Sequence, residues 1–188
     1  LSPKEMLRAP VFWLLLVWNV CLRSAGLTLL DHAASMSVAF GGTVIVAMLI
    51  SPANGLGSLS VGAAMDRLGI RRILRLAALM MFCAGGVLIA GVRLGSFPLL
   101  LAGLLLGGVA YGGSSSSYSA SIKNVFGPKY YAKNFGISNI AMGCAALIES
   151  VSGFVLDAGQ GSYLGVVVMV LCLSLPALFC GALSKKFL

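Results

Sequence analysis

Two ionisable residues, Arg23 and Glu149, each sit deep inside a long apolar run of the sequence. Charge placed so far from water marks a functional site or a forced pairing. The planar fork of an arginine suits bidentate contact with a carboxylate. On that reading Arg23 binds a carboxylate-bearing substrate and Glu149 is a coupling carboxylate. The other reading is a permanent Arg23–Glu149 pair that fixes helix packing. The sequence leaves both open. Arg23 lies about 20 Å along a helix that starts at Pro10, and Glu149 lies at nearly the same depth in one that starts at Phe135. Asn19, one turn before Arg23, shares its face, and Asn54 and Ser58 share a face by the same spacing. Tyr111, Tyr118 and Asn139 complete the candidate substrate-binding or coupling set. The run Ser114–Ser117 reads first as helix packing, because small residues let backbones approach. Gly112 and Gly113 before it offer a hinge. His32 beside Asp31 reads as a solvated pair at an outer loop.

The elements that hold these residues follow from composition. The chain has 188 residues, 59% of them apolar and 10% charged, with a mean hydropathy of +1.01. Such a chain cannot cover a water-facing surface, and it is too apolar for disorder. Lipid is the implied solvent, and in lipid only helices or closed barrels satisfy the backbone. The apolar runs are long and continuous, so helices are expected. The fold class is all-α and polytopic, with spans near Pro10–Leu30, Phe40–Met65, Ile73–Val92, Pro98–Ala120, Phe135–Leu156 and Tyr163–Leu183. Pro52 and Pro176 are expected to kink their spans. The five cysteines lie in apolar runs and read as buried, inert hydrophobes.

Six spans put Lys4, Arg8, Arg67, Arg71, Arg72, Arg75, Lys123, Lys129, Lys133, Lys185 and Lys186 on one side. The opposite loops hold only Arg93, with the acids Asp31 and Asp157. Basic loops stay in the cytosol, so both termini are expected on the cytoplasmic side of a plasma or inner membrane. The net charge of +8 is thereby assigned to orientation, and no nucleic-acid partner is expected. Spans one, two, four and five carry the polar residues and are expected to line a pathway. Spans three and six are nearly all aliphatic and are expected to face lipid. A period of three helices suggests two inverted repeats, residues 1–92 and 93–188. Span two ends in Gly62-Ala63-Ala64-Met65-Asp66 and span five in Gly153-Phe154-Val155-Leu156-Asp157, a matching G-x-x-x-D on opposite sides.

The densest local signal is Gly62-Ala63-Ala64-Met65-Asp66-Arg67-Leu68-Gly69-Ile70-Arg71-Arg72, in the basic turn after span two. Gly62 permits close packing, Gly69 permits a tight turn, and the arginines can bind Asp66 or anionic lipid. This run resembles the G-x-x-x-D-R-x-G-R-R loop signature of the major facilitator superfamily of secondary transporters. Further runs resemble its oxalate:formate antiporter and monocarboxylate-transporter-like branch. These are Asn54-Gly55-Leu56-Gly57, Ser2-Pro3-Lys4-Glu5-Met6-Leu7 and Phe126-Gly127-Pro128-Lys129-Tyr130-Tyr131-Ala132-Lys133-Asn134-Phe135-Gly136. The resemblance implies a gating role for Gly62, Asp66, Arg67, Gly69, Arg71 and Arg72. It also implies that the chain is the C-terminal six-helix half of a twelve-helix carrier. Its partner would be the missing N-terminal half or a second copy. The pattern departs at Ser58, where the oxalate branch commonly has an arginine, and at Glu149, where a lysine would suit a dicarboxylate. Oxalate itself is therefore disfavoured.

The resemblance implies a secondary active transporter for a small organic anion, working by alternating access in contact with membrane lipid. The alternative is a non-transporting membrane module with a half-transporter fold. No enzymatic activity, metal or cofactor is expected. Intramembrane hydrolysis needs a positioned base, and the sequence reading puts no histidine within a span and no paired aspartates at membrane depth.

Overall fold

The computed structural model describes residues 1–187, with side chains described except at Val46, Ala47, Gly62, Asp66 and 184–187. Short α1 (Pro3–Arg8) begins with a capping box, in which the Ser2 backbone N–H donates to Glu5 Oε2 at 2.7 Å. That bond holds the Glu5 carboxyl below the ordinary carboxylate range. Helix α2 (Pro10–Ala39) starts on a proline, which is tolerated where the amide has no helical partner. It is followed by α3 (Val44–Ala47), α4 (Ile50–Leu68) and α5 (Ile70–Leu94). Gly69, at φ +76°, makes the break between α4 and α5. Then come α6 (Phe97–Phe126), α7 (Tyr131–Ser138), α8 (Ile140–Ala158) and α9 (Leu164–Phe187).

Among the described residues, five segments are long and apolar enough to cross a bilayer: Pro10–Ala39, Ile70–Leu94, Phe97–Phe126, Tyr131–Ala158 and Leu164–Leu183. The chain is thus an all-helical protein suited to a membrane. The expected second span, Phe40–Met65, is where expectation and structure part. It divides into α3 and α4, and α4 is diluted by Ser51, Asn54, Ser58, Ser60 and three glycines. Pro52 falls in the first turn of α4, where no helical bond is lost, rather than in a span interior. Pro176 does lie inside α9.

Helices α2, α5, α6 and α9 form the centre. α5 and α6 pack together, α9 packs on both α2 and α5, and α2 meets α6. Two helices flank this group, α4 on α6 and α8 on α2. The α4–α6 seam is closed by glycine. A β-carbon at Gly112 would run into the Asn54 carbonyl, and one at Gly57 into the Val109 carbonyl. The outer faces are apolar: Leu76 and Leu79 on α5, Leu175 and Phe179 on α9, Leu56 and Leu59 on α4, Leu147 and Phe154 on α8. Such faces are stable only against lipid or protein. The cysteines are free, and Cys83, Cys144 and Cys172 lie on exposed faces rather than buried ones.

Among the described residues the basic regions before α2, between α4 and α5 and after α6 gather at one end of the bundle. Phe12 meets Phe126 with ring centroids 6.3 Å apart, and buried Trp18 donates from Nε1 to the Leu74 carbonyl at 3.2 Å. These contacts join the start of α2 to the end of α6 and the start of α5. Gly181 near the end of α9 lies against Arg75.

Candidate functional site

The deepest polar cluster is built by α2, α6 and the junction of α7 with α8. Asn19 is 1% exposed, and its Oδ1 accepts from Arg23 Nε at 3.3 Å, as the one-turn spacing predicts. Arg23 is half-buried. Tyr118 is fully buried and donates from its hydroxyl to the Ser138 carbonyl at 3.3 Å. That carbonyl is the last of α7, one residue before the interruption at exposed Asn139. A side chain that caps a freed carbonyl is a common companion of a helix break. Tyr111, about two turns before Tyr118 on the same helix, lays its ring over Gly26 of α2. Arg23 and Asn19 on α2 and Tyr111 and Tyr118 on α6 thus belong to two helices packed together, and Asn139 follows the carbonyl that Tyr118 binds.

Glu149 does not join them. Among the described residues it makes no ion pair or hydrogen bond with Arg23, and the sole ion-pair contact there is His32–Asp31. The expectation of equal depth fails for a geometric reason. Ser152 of α8 is hydrogen-bonded to His32 of α2, which fixes the register of these two helices. Glu149, three residues before Ser152, is then level with Leu29, about 9 Å along the axis from Arg23. Glu149 still lies on the stripe of Ala141, Ala145 and Ser152 that faces α2, and it is half-buried.

His32 corrects a second expectation. It is a residue of α2, 6% exposed, with Nε2 2.8 Å from Ser152 Oγ, and it is not a solvated loop histidine. Asp31 Oδ2 lies 3.9 Å from the same nitrogen and is itself largely exposed. A relay through imidazole needs the hydroxyl and carboxylate on different ring nitrogens. This arrangement therefore locks α2 to α8 and does not activate the serine. The Tyr163 ring stands edge-on to His32 at 6.3 Å.

Asn54 and Ser58 lie in the α4–α6 seam. Asn54 abuts Gly112, and Ser58 Oγ shares a hydrogen bond with Ser116 Oγ. The serine run itself divides. Ser114 and Ser117 are buried and donate to the carbonyls of Tyr111 and Gly113 within α6. Ser115 and Ser116 instead line an open cleft of about 590 Å³ with Ser119, Ala120, Lys123 and Tyr131. Ser119 Oγ and the Tyr131 hydroxyl lie 2.7 Å apart. The cleft thus offers hydroxyls and one ammonium, a lining that suits an anion. Ser119, Lys123 and Tyr131 escaped the sequence reading, although Ser115, Ser119 and Lys123 stand at four-residue spacing on one face.

Of the loop motif, Arg67, Gly69, Arg71 and Arg72 are exposed at the basic end, and Gly69 forms the turn. Gly62 and Asp66 lie outside the residues whose side chains are described. Among the described residues no cluster of metal-ligating side chains occurs. No protein-family model matches the chain, and no curated protein matches it.

Proposed function

We propose that the chain is the C-terminal half of a secondary transporter of the major facilitator type, moving a small organic anion by alternating access. The observation that carries this reading is the state of Arg23. It lies far inside α2, its described hydrogen bond goes to neutral Asn19, and no carboxylate of the described residues neutralises it. An uncompensated guanidinium at that depth is stabilised by an anionic ligand. Tyr111 and Tyr118 lie on the helix packed against it, and the cleft at Ser119 and Lys123 on the same helix adds hydroxyls and an ammonium that suit an anion.

The helix arrangement supports an inverted repeat. Exchanging α2 with α6, α4 with α8 and α5 with α9 turns each major packing pair into another one. The α4–α6 pair becomes α8–α2, and α5–α6 becomes α9–α2. The pairs α2–α6 and α5–α9 map onto themselves. Both flanking helices follow a short helical segment, α3 or α7. Two such units suit a carrier that rocks about a central site.

The test is counterflow of labelled monocarboxylates into proteoliposomes that hold the full-length gene product. The expected result is saturable flux that Arg23→Ala abolishes and Arg23→Lys reduces at least tenfold, since a point charge replaces the fork. A second reading, a non-transporting membrane module, is favoured by one feature. The apolar faces of α4 and α8 stand open. Absence of flux for every carboxylate tried, with the protein folded and both halves present, selects that reading.

A further inference from the structure

A second cavity, unlike the hydroxyl-lined cleft, opens on the flank of the bundle. It holds about 150 Å³ between α4 and α5, with α6 as its floor. Val61, Ala64 and Leu68 form one wall, and Ile73, Leu76 and Met80 form the other. Its one polar lining group, Ser60 Oγ, is already committed to the Gly57 carbonyl at 3.1 Å. The groove therefore makes no demand for a polar ligand. From Ile73 to Met80 it runs about 10 Å along the helix axis, some two thirds of the depth of one leaflet.

The mouth of the groove has the opposite character. Leu68 and Ile73 bracket the Gly69 turn, and next to them in sequence stand Arg67, Arg71 and Arg72, all exposed. Among the described residues none of these three forms an ion pair. Arg75, one turn further on, donates from Nε to the Arg71 carbonyl. An apolar slot one alkyl chain wide, ending under three exposed arginines, matches one kind of molecule. We infer that this groove binds one acyl chain of an anionic phospholipid, whose phosphate is held by Arg67, Arg71 and Arg72. The inference rests on the membrane setting of the helices and not on transport. Bound there, the lipid wedges α4 and α5 where they hardly touch each other, and it ties the turn to the leaflet surface.

The experiment is native mass spectrometry of the chain in detergent, titrated with phosphatidylglycerol, with phosphatidylcholine of the same acyl chains, and with glycerol phosphate alone. The expected result is tighter binding of phosphatidylglycerol than of phosphatidylcholine, with no binding of glycerol phosphate at matched concentration. Arg71→Gln combined with Arg72→Gln should weaken phosphatidylglycerol roughly 25-fold, at about fivefold per arginine, and leave phosphatidylcholine unchanged. Leu76→Trp, which fills the groove from its exposed rim, should weaken both lipids at least several-fold. The two variants act at separate places, so one remains readable if the other misfolds. Equal affinity for the two lipids overturns the inference. So does binding of glycerol phosphate as tight as that of intact lipid, which makes the site one for free phosphate. A groove occluded by dimerisation that lipid does not reverse overturns it as well, because the occupant is then a second copy.

Discussion

The seams α4–α6 and α8–α2 occupy corresponding places in the proposed repeat, yet they are built from different chemistry. The first is closed by backbone. Gly57 and Gly112 bring α4 and α6 so near that a β-carbon at either would strike a carbonyl of the other helix. The second is closed by side chains. His32 and Ser152 make a buried hydrogen bond, while Gly143 and Gly153 of α8 face open space. A glycine seam has one geometry and cannot slide by a fraction of a turn. A seam held by one imidazole–hydroxyl bond can part and re-form. The contrast teaches that the α4–α6 seam is fixed by backbone contact, whereas the α2–α8 seam rests on side chains that can part.

Substitutions graded by size test this contrast. Gly112→Leu should be the most damaging, at about 3 kcal/mol, because the obstructing atoms are backbone and cannot turn aside. Chemical denaturation of the purified chain in detergent measures it, and a loss near zero would show the seam to be loose. Ser152→Ala should come next, at about 1–3 kcal/mol, since it leaves the His32 nitrogen buried without a partner. The same substitution should speed hydrogen exchange in α8 but not in α4. Uniform exchange across both helices would erase the distinction drawn between them. Ser58→Ala should cost less, about 1 kcal/mol, because its partner Ser116 borders the open cleft and can turn to water. Gly153→Ala should be the mildest and of opposite sign, a gain of about 0.5–1 kcal/mol, as a helical glycine with free space around it. A destabilisation there would mean that α8 packs against something on its open face.

Much of this architecture is legible in the residues alone. Long apolar runs fix the helices, proline and glycine fix several ends, and three basic regions gather at one end of the bundle as their spacing requires. Asn19 and Arg23 meet because four residues make a turn, and no tertiary knowledge is needed for that. What the sequence hides is register between helices. Arg23 and Glu149 look level when each is counted from its own helix start. The His32–Ser152 bond shows them about two turns apart, and only packing sets that offset. The same limit explains the misreading of His32, which stands beside an acid in sequence but turns inward to a serine 120 positions away. The second span differs for another reason: the helix breaks between α3 and α4, and the glycine and polar content of α4 is what makes the α4–α6 seam possible.

The central claim is that Arg23 is left free for a ligand and is not spoken for by Glu149. A double-mutant cycle of Arg23→Ala and Glu149→Ala on unfolding free energy tests it without knowledge of any substrate. The account predicts that the two effects add to within about 0.5 kcal/mol, as for residues that share no partner. A coupling of about 3 kcal/mol, the scale of a broken buried ion pair, would contradict it.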